Sequence, residues 1–557
     1  MTDRPPDPPI HRPLFVTIGA CRTGDAVRRA IVSAFLAFLA FVALWALAAC
    51  STTGAGTAIQ DTEATNALPI PELLEADDRG RFELIAQPGR SGFARADTDA
   101  ATIGINGSYL GPTLRMQRGD KVSMAVRNDL AEMTTLHWHG LHVPARMDGG
   151  PHQMIEPGRT WRPHWRVDQP AATLWYHSHP HGQTAQQVYR GLAGLLLVED
   201  PKEAPAGLPD RYGVDDLPLV VQDKTFTPDG ELVVDVTGRS STGFLGDTVV
   251  VNGVVGPYRD VTTESVRLRL LNASNARFYN FGFSDDRSFS IVAGDGGLLA
   301  RPVVADRVQL SPGERAEIVV RFAPGETIDL KSFPPDLGHS IGTSDRFGGG
   351  TFTVVQFRAA QQLTASPQLP SDLADVAPPN DPGGTPTRTF GMTDRAINGA
   401  PMDMGRIDEV VPENTEEVWA VTNQNPQPHN FHVHDGSFRV LTIDGEPPPP
   451  ELAGYKDTVY VAPRSTVRLL VKFSDYADPE WPYMYHCHLL LHEDMGIMGQ
   501  FVVVRPGQKV VPPPRPQSHN LMPGMPSPSA PAVAPTADAS TPSHDVHSLR
   551  RGSVDPG

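Results

Sequence analysis

The sequence predicts an all-β protein built from tandem β-sandwich domains. Residues 310–322 align without gaps on residues 461–473, and a fainter copy of the same pattern begins at residue 155. The copies lie about 150 residues apart, the usual length of one domain, so three domains are expected. Within each copy apolar and polar side chains alternate, and abundant glycine and proline supply turns between such runs. Short alternating strands separated by turn residues are typical of β-sandwiches.

The N-terminal segment, residues 1–49, has the pattern of an export signal. Residues 31–49 carry no charge, follow Arg28 and Arg29, and end in small residues before Cys50. This pattern is typical of a lipoprotein signal, after which the cysteine is lipidated and becomes the new N-terminus. We therefore expect an exported protein, anchored through Cys50 to the extracytoplasmic side of a membrane in the periplasm or at the cell surface. A retained transmembrane helix is the alternative, because the uncharged run is almost long enough to span a bilayer.

Cysteine usage points to a metal ligand. The chain has three cysteines, of which Cys21 would be lost with the signal and Cys50 would be acylated. Only Cys487 would remain as a thiol, so no intramolecular disulfide is possible, although exported proteins commonly use cysteines in pairs. A solitary cysteine in that compartment favours metal binding.

Residues 485–492, with the sequence YHCHLLLH, carry the most informative motif. Cys487 lies between His486 and His488, and His492 follows five residues after the cysteine. Side chains in a strand alternate between its two faces, so Cys487 would point one way and its two neighbours the other. One strand could thus serve two metal sites back to back. Cysteine with histidine is the ligand set of blue copper electron-transfer sites.

Three further motifs each offer histidines two residues apart on one strand face. They lie at residues 137–139, 177–179 and 429–434, and the four motifs together hold ten of the nineteen histidines. A single His-x-His is weak evidence, because two structural histidines would look the same. Four such motifs, with a cysteine in the last, indicate a metal protein.

With these motifs the chain resembles the three-domain multicopper oxidases, a family that includes laccases, bilirubin oxidases and bacterial copper-efflux oxidases. The resemblance runs from about residue 75 to residue 505, and all eleven strong ligand positions of the family are filled. Residues 506–557 are rich in proline, serine and alanine and are expected to form a disordered tail. The resemblance implies three cupredoxin-like Greek-key domains and two linkers: domains at 75–205, 206–360 and 386–505, and linkers at 50–74 and 361–385.

The resemblance also implies a ligand set for four copper ions. Electrons taken singly from a reductant at the type 1 (blue) copper would pass through Cys487 to the other three ions, where dioxygen becomes water. The implied ligands are His429, Cys487 and His492 for type 1; His137 and His432 for type 2; His139, His177 and His488 for one type 3 ion; and His179, His434 and His486 for the other.

Three other positions carry implied roles. Asp148 matches a family carboxylate near the type 2 copper, and Glu493 matches one that feeds protons to the type 3 side. Ile497 falls at the axial position of the blue site, where many bacterial members have methionine. An aliphatic side chain donates no electrons, so a relatively high potential is expected. A bulge after Gly496 that brings Met498 into the axial place is the alternative.

Aligning the first and third domains shows how they differ. Ser178 falls in the place of Cys487, so the first domain can hold no blue site, yet it keeps both flanking histidines. Domains one and three would therefore each present four histidines, related by a pseudo-twofold axis. Domain two has no such histidines and is expected to act as a spacer.

Composition and the remaining residues bear on substrate. The formal charge of −17 argues against nucleic acid and suits small cationic or metal substrates. We expect a monomeric, laccase-like oxidase of phenolic or metal-ion reductants, with dioxygen as the acceptor. A dedicated cuprous oxidase for copper tolerance is the alternative. It is weakened because residues 361–395 hold only Met392 instead of a methionine-rich insertion, and because Asn425 replaces a frequent aspartate. A non-catalytic scaffold, as in division-associated relatives that have lost copper ligands, is the remote alternative.

Overall fold

The computed structural model describes residue 59 and residues 61–95, 99–202, 205–234, 242–338 and 349–513. The predicted export signal, the predicted lipidation site at Cys50 and most of the predicted tail lie outside this part of the chain. Strands dominate the described residues, as the all-β prediction required. No helix in the described ranges is long and apolar enough to cross a membrane.

The first sandwich packs two sheets around a core that includes Leu84, Leu114 and Val126. Its strand β6 shows the predicted alternation, because every second side chain is buried. The strands of this part of the chain are β1 (Asn66–Ala67), β2 (Leu73–Glu75), β3 (Arg81–Ser91), β4 (Ala100–Ile105), β5 (Thr113–Gln117), β6 (Lys121–Asn128), β7 (His137–His139), β8 (Thr160–Trp161), β9 (His164–Arg166), β10 (Ala172–His177) and β11 (Ala193–Glu199).

One sheet of this domain has the order β2-β5-β11-β10-β7, and the other has β4-β3-β6-β8 with β9 beside β6. A 3₁₀-helix (Ala145–Met147) and the helix α1 (Thr184–Arg190) lie in the connections. All of β10 is buried, because one face joins the core and the other meets the neighbouring domains. The segment expected as a linker at 50–74 contains β1, which pairs with a strand of the second domain, and the start of β2.

The second sandwich has a six-stranded sheet, β1-β15-β23-β22-β17-β20, and a seven-stranded sheet, β14-β13-β12-β16-β21-β18-β19. Its core includes Leu219, Phe281 and Ile318. Its strands are β12 (Asp216–Lys224), β13 (Thr248–Val251), β14 (Val254–Val255), β15 (Pro257–Thr263), β16 (Ser265–Asn272), β17 (Tyr279–Phe283), β18 (Phe289–Gly294), β19 (Gly297–Ala305), β20 (Val308–Leu310), β21 (Arg315–Arg321), β22 (Thr327–Phe333) and β23 (Phe352–Thr364).

The third sandwich has sheets of order β24-β26-β30-β28 and β25-β32-β31-β27-β29. Its core includes Trp419, Phe431 and Cys487. A 3₁₀-helix (Pro450–Leu452) and the helix α2 (Leu490–Asp494) complete it. Its strands are β24 (Arg388–Met392), β25 (Glu409–Pro412), β26 (Thr415–Asn423), β27 (His429–Val433), β28 (Phe438–Ile443), β29 (Thr458–Val461), β30 (Thr466–Phe473), β31 (Tyr483–His486) and β32 (Met498–Val504).

The sequence repeat forms the same turn in each domain. The residue after proline is Gly158 in domain one, Gly313 in domain two and Arg464 in domain three, with φ of 74°, 88° and 64°. Each turn precedes a strand, namely β8, β21 or β30. Glycine reaches this left-handed region freely, whereas a residue with a Cβ is strained there. The repeat is therefore a backbone turn that recurs in all three domains, and its third copy carries a strained arginine.

Candidate metal centre

Paired strands in domains one and three bring eight histidines together. His177 pairs with His137 across β10 and β7, and His486 pairs with His432 across β31 and β27, so the register is the same in both domains. The predicted histidines of the cluster are all buried. Rings from the two domains stack, with centroids 3.8 Å apart for one pair and 3.7 Å for another; these pairs are His137 with His434 and His139 with His432.

Six of the eight rings are fixed by a hydrogen bond from one nitrogen to an oxygen. This leaves the other nitrogen free to face the centre of the cluster, and in His137, His139, His177 and His432 that nitrogen has no hydrogen-bond partner. The fixing bonds are His137 Nδ1 to Asp148 O (3.0 Å), His139 Nε2 to Asp457 Oδ1 (2.9 Å), His177 Nδ1 to Ser178 O (2.8 Å), His432 Nδ1 to Asp457 O (2.8 Å), His434 Nδ1 to Asp148 Oδ2 (2.8 Å) and His486 Nδ1 to Cys487 O (3.2 Å).

These imidazoles are prepared to bind metal. Burial, reinforced by the neighbouring rings, lowers the pKa of His139, His179 and His486 well below its usual value, so the rings are neutral and keep a lone pair. A buried nitrogen without a partner costs free energy in the folded state. A metal ion held by these histidines would supply the missing partner.

One group of three fits an ion by distance. The Nε2 atoms of His179 and His434 each lie 3.2 Å from Nε2 of His486. Metal–nitrogen bonds of about 2.0–2.1 Å place two ligands of one ion roughly this far apart when the angle at the metal is a little over 100°. The ligand atoms of this trio all lie within 4.8 Å of one another. This is the trio that the sequence predicted for one type 3 ion.

The other predicted cluster ligands also meet. His137 and His432 share a group with His434 in which the ligand atoms lie within 4.8 Å, and His139 and His177 share one with His137. The ring of His488 lies 4.8 Å from that of His139, measured between centroids. The structure therefore places all eight histidines of the prediction around one centre.

A second group lies on the opposite face of the strand. Sγ of Cys487 is 3.4 Å from Nδ1 of His429 and 3.7 Å from Nδ1 of His492, and the two nitrogens are 3.2 Å apart. The helix α2 turns the chain back so that His492 reaches the cysteine. Burial raises the pKa of the Cys487 thiol to about 12, whereas a bound cation deprotonates a coordinating thiol.

The two candidates for the axial position lie in different places. Ile497 belongs to the same buried cluster as Cys487, and its carbonyl accepts a hydrogen bond from the Cys487 amide at 3.0 Å. Met498 instead packs with Met402 and Met484. In the sheet it is paired with His486, on the face that carries the histidine cluster. This arrangement favours Ile497 as the residue beside the predicted blue site.

The two predicted carboxyl groups contact different histidines of the cluster, and their pKa values shift in opposite directions. Asp148 accepts the hydrogen bond from His434, and its other oxygen is 3.4 Å from Nδ1 of His137. Burial opposes ionisation of Asp148, but these two rings bring its pKa below the usual value. The carboxyl oxygens of Glu493 lie 3.2 Å from the Nδ1 atoms of His179 and His486.

Glu493 has the opposite titration behaviour. Burial and the neighbouring Asp494 hold its pKa well above the usual value. The carboxylate of Asp494 accepts the backbone N–H groups of Thr184 and Ala185 at the start of α1. These contacts join domain three to domain one directly beside the cluster and fix the position of Glu493.

The contact of Asp457 with the histidine cluster was not predicted from the sequence. Its Oδ1 accepts the Nε2–H of His139, and its backbone oxygen accepts the Nδ1–H of His432. The pair Lys456-Asp457 is an ordinary charge pair in the sequence. Only the pairing of β27 with β29, which sets His432 opposite Thr458, could have indicated its position.

Comparisons with known proteins agree with this site. Family models for multicopper oxidase domains match residues 91–203, 218–327 and 375–507. The chain is 37% identical over 454 residues to Multicopper oxidase mco of Staphylococcus haemolyticus, which covers 80% of this chain and 94% of that protein. It is 39% identical over 452 residues to Cell division protein FtsP of Edwardsiella tarda, with 79% and 93% covered.

A solved structure is similar over the same region. It is the bacterial laccase-like multi-copper oxidase CueO from Ochrobactrum sp., which is 39% identical, with a TM-score of 0.72 and coverage of 78% of this chain and 100% of that one. Three cupredoxin-like sandwiches with a buried cysteine–histidine site and a histidine cluster define a class of metal-dependent redox proteins. The chain belongs to the multicopper oxidase family and is a copper-dependent oxidase. The family and fold predicted from the sequence are confirmed.

Proposed function

We propose that the protein is a laccase-like oxidase that takes electrons singly from phenolic, aromatic or metal-ion reductants and reduces dioxygen to water. When bound, one type 1, one type 2 and two type 3 copper ions supply the one-electron redox chemistry that couples these half-reactions. One observation carries the proposal. Cys487 belongs to one buried group, while its neighbours His486 and His488 belong to the histidine cluster on the other face of the strand.

The proposed ligands follow the geometry of the rings. His429, Cys487 and His492 would hold the type 1 ion, because their ligand atoms converge. In six of the eight cluster histidines, an oxygen acceptor takes the outer N–H, so the lone pair is on the other nitrogen and available to the cluster. The proposed ligands of the three cluster ions are His137 and His432 for the type 2 ion; His139, His177 and His488 for one type 3 ion; and His179, His434 and His486 for the other.

The two carboxylates would serve different purposes. Because its pKa is raised, Glu493 holds a proton close to His179 and His486 and can deliver it where oxygen is reduced. Asp148 is ionised and fixes the ring of His434 through its Nδ1–H. A proton donor and an anchoring anion thus flank the same cluster.

Asn425 bears on the choice of reductant. Its side-chain amide lies 2.7 Å from Nε2 of His429. The atom at that distance is the amide nitrogen Nδ2, whose N–H donates to Nε2. If Nδ1 of His429 binds a metal ion, Nε2 carries the hydrogen and the amide of Asn425 is turned over, so that its oxygen accepts. An uncharged amide offers no negative charge to Cu(I) or to a phenol, which weakens the dedicated cuprous-oxidase alternative. The Ochrobactrum relative is described as active towards lignin model compounds and lignosulfonate, which supports phenolic or aromatic reductants.

Two other functions remain as alternatives. A dedicated cuprous oxidase is favoured by the buried cluster of Met402, Met484 and Met498, because thioethers suit Cu(I). That cluster lies on the His486 face of the sheet, away from the proposed type 1 site. A scaffold role is suggested by the likeness to Cell division protein FtsP, but the full set of ligand side chains here disfavours it.

The oxidase is further proposed to act as an exported monomer with a lipid on Cys50. The uncharged run before this cysteine supports the anchor. Replacing Cys50 with alanine in the full chain would release the protein from the membrane fraction. Wild-type protein found entirely in the soluble fraction would contradict the anchor.

Copper analysis and oxygen uptake on the same preparation test the function. We expect four copper ions per chain, a blue absorption band and faster oxygen uptake with a phenol than with Cu(I) at equal concentration. A large preference for Cu(I) would reverse the ranking of reductants. Full copper occupancy without oxygen uptake on any reductant would favour the scaffold role.

A further inference from the structure

Domain two reaches the histidine cluster through one buried arginine. Both terminal nitrogens of Arg315 bind the carboxylate of Asp457, at 2.7 Å from Nη1 to Oδ1 and 2.6 Å from Nη2 to Oδ2. Its Nε donates to the carbonyl of Thr173 in domain one at 3.0 Å, and Nη2 donates to the carbonyl of Asp295 in domain two at 2.9 Å. One side chain of domain two thus joins all three domains. The guanidinium of arginine is suited to this because its donors form a rigid fork.

Asp457 passes this constraint to the cluster. Its Oδ1 accepts the Nε2–H of His139 at 2.9 Å, so Nδ1 of His139 is the nitrogen with the lone pair, and it faces inward without a hydrogen-bond partner. A carboxylate behind a ligating histidine fixes both its tautomer and its ring orientation. The ligand atoms of Asp457, His139 and His432 lie within 4.8 Å of one another. Arg315 bonds to both oxygens of Asp457, and Oδ1 also accepts from His139, so the carboxylate is held as a support for His139.

The turn that precedes Arg315 supports a second histidine. A Cβ on Gly313 would lie 2.9 Å from Nδ1 and 3.0 Å from Cγ of His488, so the ring rests directly on the glycine. Neither nitrogen of His488 has a hydrogen-bond partner, and packing therefore sets the position of its ring. In the same turn, the carbonyl oxygen of Pro312 accepts a hydrogen bond from the side-chain amide of Asn430 at 2.7 Å. Asn430 in turn accepts the backbone N–H of His488 at 2.6 Å.

We infer that domain two positions one metal site of the cluster, the site of His139, His177 and His488, by means of residues 311–315. Arg315 sets His139 through Asp457, and Gly313 sets His488 by direct contact. Domain two is then more than the spacer expected from the sequence. The inference rests on the proposed function, because it assumes that these histidines hold copper.

The competing explanation is that these contacts only stabilise the domain interface. A matched control for it lies in the same region. Arg269 is also buried and also crosses between domains one and two, but it binds Asp216, Glu317 and the hydroxyl of Thr173 and no histidine. Replacing Arg269 with lysine should therefore weaken the interface without disturbing the cluster.

The first experiment compares Arg315→Lys and Asp457→Asn with Arg269→Lys and the wild type, all purified as the copper-loaded full chain. Copper per chain, blue absorption, electron paramagnetic resonance and the thermal unfolding midpoint of copper-free protein are measured. We expect the first two variants to keep the blue band but to bind copper at the cluster about 10–100-fold more weakly. They should also gain resonance signal from Cu(II) that is no longer magnetically coupled to a neighbouring ion. Arg269→Lys should lower the unfolding midpoint while keeping four copper ions.

The second experiment uses the repeated turn. Gly313→Ala and Gly158→Ala impose the same left-handed strain, but a Cβ at Gly158 meets nothing within 4 Å. We expect Gly313→Ala alone to change the cluster signal. If Arg315→Lys does not fold, Gly313→Ala and Asp457→Asn still test the inference. Asp457→Asn is suited to this because it keeps the size of the side chain.

Wild-type copper content and resonance in the Arg315, Asp457 and Gly313 variants, with only a lowered unfolding midpoint, would overturn the inference. Failure of the proposed function looks different. The wild type itself would then lack the blue band or bind fewer than four copper ions.

Discussion

Domains one and three carry the same strand end with one atom changed. Ser178 follows β10 and Cys487 follows β31, and their amides donate to Leu192 O at 3.1 Å and to Ile497 O at 3.0 Å. The next residue is also held alike. The N–H of His179 donates to Thr135 Oγ1 at 2.8 Å, and that of His488 donates to Asn430 Oδ1 at 2.6 Å. The backbone framework around the proposed type 1 site is therefore present twice, yet only domain three has the proposed ligands.

The difference lies on the inner face of the strand. Where domain three has His429, domain one has Thr134, and its hydroxyl donates to Gln187 Oε1 at 2.7 Å. The hydroxyl of Ser178 is buried without a hydrogen-bond partner. The outer faces match because both must supply four histidines to one cluster. The inner face of domain one supplies no metal ligands. It is occupied by packed side chains and by the hydrogen bond from Thr134 to Gln187.

The largest expected effect comes from making domain three resemble domain one. Cys487→Ser replaces the thiolate with a hydroxyl that does not bind copper as a soft anion. We expect loss of the blue absorption and of oxygen uptake, with copper retained at the cluster because its eight histidines are unchanged. Absorption and copper counting on the purified variant check this. Blue absorption in the variant would show that the ligand assignment is wrong.

The converse change is the control. Ser178→Cys adds a thiol to domain one, but Thr134 still stands where a histidine is needed. No second blue site should form, and copper per chain should stay at the wild-type value. An additional blue band would mean that a blue site can form in domain one without a histidine at position 134.

The second prediction concerns Asp148, which serves histidines of both domains. Asp148→Asn keeps the size of the side chain but removes the charge that faces His137 and His434. We expect reoxidation by dioxygen to slow by about 10–100-fold, while reduction of the blue site by substrate keeps its rate. Anaerobic mixing with substrate, followed by mixing with oxygen, separates the two steps. If reoxidation keeps the wild-type rate, Asp148 has no part in the oxygen reaction.

Much of this comparison could be predicted from the sequence because it depends on strand alternation. His486 ends β31, and Cys487 and His488 directly after it continue the alternation of a strand, in which neighbours face opposite ways. Arg315 and Asp457 could not be predicted in the same way. They lie 142 residues apart, and neither has a recurring spacing. Their meeting depends on how three domains dock, which local patterns do not encode.

The glycine of the repeat shows the same limit. Pro312-Gly313 is visible in the sequence as a turn, and the structure has that turn. The contact between Gly313 and a histidine ring of another domain depends on tertiary packing, which the turn sequence does not indicate. The expectation of domain two as a spacer followed from its lack of histidines, which says nothing about contacts made by backbone or by arginine.

The third prediction is a change in potential at the blue site. Ile497→Met brings a thioether to the position beside Cys487 and should lower the reduction potential, because the sulfur donates electrons to Cu(II). Met498→Leu should leave the potential nearly unchanged, since Met498 packs against Met402 and Met484. Redox titration of both variants checks this. The reverse pattern would make Met498 the axial residue and remove the reason to expect a high potential.

The smallest effect concerns the turn that differs between the two domains. Domain one has Gly158 at φ 74°, and domain three has the exposed Arg464 at φ 64°. Arg464→Gly relieves a left-handed strain of about 1–2 kcal/mol, partly offset by about 0.5–1 kcal/mol of extra chain entropy in the unfolded state. A net stabilisation of about 0.5–1 kcal/mol should raise the thermal unfolding midpoint of copper-free protein.

A second variant at this turn separates strain from side-chain contact. The guanidinium of Arg464 donates to the carbonyl of Gln424, and Arg464→Ala removes that bond while keeping the strained backbone. We expect Arg464→Ala to be no more stable than the wild type, because the contact is exposed and the strain remains. If both variants destabilise the protein equally, the bond to Gln424 outweighs the strain. The arginine would then stabilise domain three in a way that has no counterpart in domain one.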